Sequence, residues 1–88
     1  MNIPKQVNVI DSVIAVEFAT MVRELGYADY DNDKIIISEN VTESKKEEIF
    51  YHELTHWILF KMGSKLECNE DFVSMFASLL NQAMKSTE

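Results

Sequence analysis

An α+β fold is predicted, with a small antiparallel β-sheet of about three or four short strands in the N-terminal half packed on two C-terminal helices. Three observations predict it. Val and Ile cluster in short runs before Asn40. Turn formers, above all Asp31-Asn32-Asp33, separate two of those runs. After Thr42 the apolar spacing becomes helical, in two stretches divided by Gly63 to Asn69. Eighty-eight residues leave room for one core, so residues 1–88 form a single domain, mainly β over 1–40 and helical over 42–62 and 69–85.

Val7-Asn8-Val9 and Val13 to Phe18 read as two strands joined by a turn at Asp11-Ser12, because β-branched residues suit a pleated surface. A helix over Ser12 to Leu25, closed by Gly26, is the alternative, since positions 14, 18, 21, 22 and 25 also keep helical spacing. Gly26 to Tyr30, the Asp31-Asn32-Asp33 turn and Lys34 to Ser38 read as a second hairpin. Asp29, Asp31 and Asp33 alternate as in a calcium loop, but Lys34 and Asn40 stand where that loop needs glycine and glutamate, which argues against calcium. Thr42 caps a helix running from about Glu43 to Met62, with Glu43 in its first turn and Gly63 at its end. Its later part, with Ile49, Phe50, Leu54, Trp57, Ile58 and Phe60, is apolar nearly all round and so mostly buried. Asn69 caps a last helix to about Lys85, whose stripe centres near Phe76 and Leu80.

The formal net charge is -7. That balance disfavours nucleic-acid phosphates and favours a basic or neutral protein partner. The single cysteine, Cys68, forms no internal disulfide and fits a reducing cytoplasm, where it reads as a buried small residue. No signal peptide is visible at Met1 to Gln6, and no run approaches the roughly eighteen apolar residues of a membrane span.

Within the first helix stands His52-Glu53-Leu54-Thr55-His56. Residues four apart lie on one helical face, so two imidazoles can grip one metal ion, while Glu53 projects beside them, where a base takes a proton from a metal-bound water. Chance would place both histidines and that glutamate so in roughly one such sequence in several hundred. The bland alternative is a surface His52 and a satisfied core His56. Hydrolytic zinc takes three protein ligands and leaves one position for water. Position 62 is Met62, so no third histidine follows, and Glu67, Cys68, Glu70 and Asp71 are the candidates. At about 100° per residue Glu70 borders the apolar stripe while Asp71 looks outward, which favours Glu70 and leaves Glu67 and Asp71 as alternatives.

Tyr51 to Leu59, Gly63, and Asn69-Glu70-Asp71-Phe72-Val73 through Leu80 together resemble small phage and prophage zinc metallopeptidases, and a trimmed form of the ImmA/IrrE metallopeptidases. The resemblance covers the C-terminal half and extends to the Asp31 to Ser38 hairpin. It implies a glutamate ligand opening the Asn-Glu-x-Phe-Val segment, which maps onto Glu70, and a phage-encoded protein in the bacterial host cytoplasm. No Ala-Asn pair precedes Phe76 and no Met-Pro follows Leu80, as they do in the larger pattern.

The expected function is therefore a zinc metallopeptidase with His52, His56 and Glu70 as ligands and Glu53 as base, acting on a peptide or protein, a basic host or phage protein among the candidates. Lys34 to Ser38 is the strand expected to present its edge to substrate, and Tyr27, Tyr30 or Tyr51 to supply an oxyanion donor. The alternative is a non-catalytic acidic module that modulates a host protein, its metal site structural or vestigial.

Overall fold

A computed structural model describes residues 3–20 and 24–87. Four strands, β1 (Gln6–Val9), β2 (Ser12–Ala19), β3 (Gly26–Asp29) and β4 (Lys34–Ser38), precede two helices, α1 (Glu43–Lys61) and α2 (Glu70–Lys85), with a 3-10 turn at Lys65–Cys68 between them. The α+β arrangement and the order of its halves match expectation.

The sheet is mixed rather than antiparallel. Its order is β1-β2-β4-β3, with antiparallel outer pairs and a parallel β2–β4 pair at the centre. Two hairpins side by side produce this whenever their inner strands run the same way. β4 is thus an interior strand, not the edge expected for substrate. Its run Ile35-Ile36-Ile37, buried throughout, is what an interior position requires.

Ser12–Ala19 is strand, which rules out a helix starting at Ser12. The part of that alternative over 21–23 lies outside the described residues. The first turn is Ile10-Asp11, not Asp11-Ser12: Val9 pairs with Ser12 across it, and Ile10 sits at φ 55°. In the second hairpin Asp33, at φ 53°, takes the left-handed position. Asp29 accepts hydrogen bonds from Asn32 N and Nδ2, so its carboxylate closes the turn.

α1 forms a middle layer, touching β1, β3 and β4 on one side and α2 on the other. Double contact explains its burial nearly all round. Ile14, Val16, Ile35 and Ile37 meet Phe50 and Trp57 in the core, and Trp57 Nε1 donates to Lys34 O at 3.0 Å, pinning α1 to the start of β4. Fully burying each such side chain contributes about 1.5–3 kcal/mol. Both helices begin as expected: Thr42 Oγ1 accepts from Lys45 N, and Asn69 Oδ1 from Phe72 N. Gly63, at φ 68°, donates to Phe60 O while Ser64 donates to Leu59 O, the paired bonds of a Schellman ending.

α2 buries Val73 and Ala77, while Phe72, Phe76 and Leu79 stay substantially exposed. The buried line is displaced from the centre of the stripe because, among the described residues, α2 packs on α1 and the 3-10 turn and not on the sheet. Among the described residues no helix is long and apolar enough to cross a membrane.

Candidate metal centre

His52 and His56 lie one turn apart on the flank of α1 that faces the start of α2, their ring centroids 5.1 Å apart. The Schellman ending and the 3-10 turn reverse the chain, and the Asn69 cap starts α2 so that Glu70, in its first turn, comes over both rings. Glu70 Oε1 stands 2.9 Å from His56 Nε2, and Oε2 stands 3.2 Å from His52 Nε2. Ligating atoms from these three residues all fall within 4.8 Å of one another. Bonds of about 2.0–2.1 Å to zinc place neighbouring tetrahedral donors about 3.3–3.5 Å apart, so the set closes on one ion once its widest separation contracts by up to about 1.4 Å, within reach of side-chain rotation. Two imidazoles and a carboxylate are also a donor chemistry suited to zinc.

Of the alternative ligands, Asp71 is exposed and lies outside this group. Glu67 lies behind His56, with Oε1 3.3 Å from Nδ1, the nitrogen turned away from Glu70. Tyr30 Oη donates to Glu67 Oε1 at 2.7 Å, and the Cys68 thiol donates to Oε2 at 3.3 Å. The Tyr30 bond holds the Glu67 carboxyl below its ordinary range, helped by Cys68 and His56. Burial and Glu67 together push the Tyr30 hydroxyl upward. Tyr30 is therefore committed to Glu67, and stacks on Phe60 with ring centroids 4.0 Å apart. Cys68 is exposed, not buried as expected, because a four-residue 3-10 turn on the surface has no inner face to hide it. Its hydrogen bond to Glu67 raises its thiol pKa.

Glu53 points toward the sheet and is 8 % exposed. Burial pushes its carboxyl up to about 7; His56 pulls it down, while Glu70 and Glu24 add to the rise. Gly26 makes this burial possible. A Cβ there would collide with Ile49 Cγ2, stand 2.9 Å from Ile36 O and 3.7 Å from Glu53 Cγ, so only glycine lets β3 come this close to α1. A cleft of about 270 Å³ opens beside the contact, lined by Leu25, Gly26, Lys45, Ile49, His52 and Glu53.

The spacing of the motif put His52 and His56 on one face, the helical wheel favoured Glu70 over Glu67 and Asp71, and the structure brings His52, His56 and Glu70 together, with Glu53 turned toward Gly26. Glu67 and Tyr30 were singled out as a candidate ligand and a candidate oxyanion donor, but their contact with each other behind His56 was not foreseen, nor was the close approach at Gly26. The one available signal was the glycine opening β3, since a glycine in a strand often marks a close approach. No protein-family model matches this chain, and neither a curated protein nor a solved structure does.

Proposed function

We propose that this chain is a minimal zinc-dependent peptidase in which His52, His56 and Glu70 hold the ion and Glu53 is the general base. The convergence of two imidazole nitrogens and one carboxylate within 4.8 Å, with a buried glutamate adjoining in sequence, carries this reading. When bound, zinc acidifies a coordinated water and polarises the substrate carbonyl.

Glu53 takes a proton from the attacking water as its oxygen bonds to the carbonyl carbon, then delivers that proton to the amine as the C–N bond breaks. A carboxylate adjoining the ligands is the kind of group that accepts a proton from the attacking water and returns it to the leaving amine. Substrate alignment falls to β3 rather than β4, because β3 is an edge of the sheet and its first residue lines the cleft beside Glu53. An extended peptide can add to that edge through main-chain hydrogen bonds. Of the three tyrosines considered as oxyanion donors, Tyr30 is engaged with Glu67, Tyr51 is buried, and Tyr27 pairs with Ile36 on the sheet face opposite Gly26 and α1, so that role falls to none of them.

Glu53→Gln is expected to keep zinc stoichiometry while lowering cleavage of a fluorogenic peptide library by about 10²–10⁴-fold. Retained cleavage in that variant contradicts the assignment. A second reading, the non-catalytic binding module, is favoured by the apolar groove of about 350 Å³ between the end of α1 and α2, where Ile58, Leu59, Met62, Leu66, Phe72 and Phe76 gather. A zinc-loaded wild type that cleaves nothing in the library favours that reading instead.

A further inference from the structure

Neutral imidazole that binds an ion through Nε2 must carry its proton on Nδ1, and the acceptor of that proton sets the ring's tautomer and direction. His56 Nε2 faces the shared donor centre, so Nδ1 is the nitrogen in question. That atom is buried and makes no aligned hydrogen bond, yet Glu67 Oε1 lies 3.3 Å from it. Glu67 is itself held from two further directions. Tyr30 Oη grips Oε1 at 2.7 Å and Cys68 Sγ approaches Oε2 at 3.3 Å. Tyr30 is fixed in turn by Phe60, stacked at 4.0 Å, and by Trp57, edge-on at 4.9 Å. A carboxylate so braced is placed to accept from Nδ1 after a modest rotation of the imidazole.

We infer that Glu67 is a positioning residue for the metal centre: it accepts the Nδ1 proton of His56, presents Nε2 to the ion, and is oriented by Tyr30. Glu67 is thereby excluded from the ligand set and given a second role. The inference rests on the reading of His52, His56 and Glu70 as ligands. It also ties the β3–β4 turn, which supplies Tyr30, to the affinity of a site built on the helices.

The test compares wild type, Glu67→Ala, Glu67→Gln and Tyr30→Phe. Zinc affinity is measured by competition with a chromophoric chelator, and the His56 Nδ1–H is followed by imidazole NMR of the zinc-loaded protein. Melting of the zinc-free proteins provides the control for folding. Glu67→Ala is expected to weaken zinc by about 10–100-fold, at a zinc-free melting temperature close to wild type, and to abolish the protected Nδ1 proton signal. Glu67→Gln keeps an acceptor oxygen and is expected to recover most of the affinity. Should Glu67→Ala fail to fold, Tyr30→Phe carries the test, with a smaller loss in the same direction. Wild-type affinity in Glu67→Ala, or in Tyr30→Phe where that variant decides, overturns the inference and leaves the metal centre intact. A glutamine variant as weak as alanine also overturns it. A wild type that binds no zinc overturns the metal centre itself.

Discussion

Glu53 is buried beside Gly26 with its carboxyl raised from 4.5 to about 7, and this has a consequence for stability that needs no metal. Between those values the folded chain keeps a proton that the unfolded chain has lost. The contribution is complete below pH 4.5 and disappears as pH rises through 7, on the order of 3 kcal/mol in all. In zinc-free protein, urea unfolding at pH 5 and pH 8 is expected to show Glu53→Gln gaining on wild type as pH rises, by roughly 1–3 kcal/mol at the upper end. An unchanged difference between the two pH values contradicts the burial of this carboxyl. The residues of the centre were legible where helical geometry applies. His52 and His56 follow from a spacing of four, and Glu70 from a wheel that starts at its own cap. The placement of Glu67 and Cys68 was not, although both stood among the candidate ligands, because they sit on a 3-10 turn whose direction is set by the Gly63 reversal before it and the Asn69 cap after it.

At the level of the elements, both helices and both hairpins announce themselves through caps, turn formers and apolar period, but strand order does not. Alternation along a strand reports which face is inward and says nothing about its neighbours, so the parallel β2–β4 pair was missed. The unbroken Ile35-Ile36-Ile37 run did carry the information, since an interior strand has its outward side chain shielded by the strands on either side. Two backbone positions make opposite predictions. Ile10 is β-branched, 77 % exposed and left-handed, so Ile10→Gly is expected to stabilise by about 1 kcal/mol in urea unfolding. Gly26→Ala must displace Ile49 or part β3 from α1, and is expected to cost about 1–3 kcal/mol and to weaken zinc binding as Glu53 and its turn shift. A neutral Gly26→Ala contradicts the close approach on which the cleft depends.

For the whole molecule, size and charge matter together. A domain of 88 residues with a net charge of -7 has a limited core and substantial self-repulsion, so a dication joining α1 to α2 would bear directly on its stability. Because α2 packs on α1 and not on the sheet among the described residues, an ion held by His52, His56 and Glu70 would clamp the layer farthest from the central core. Zinc at about 100 times its dissociation constant adds about 2.7 kcal/mol by mass action, or roughly 10–20 °C in melting temperature for a domain of this size. The most direct measurement is calorimetric zinc titration of wild type, His56→Ala and Asp71→Asn, with melting followed before and after a chelator. The metal-centre account predicts one ion per chain in wild type and Asp71→Asn, a melting rise of that order reversed by chelation, and loss of both in His56→Ala. Equal zinc uptake by wild type and His56→Ala, or none by wild type, would contradict it.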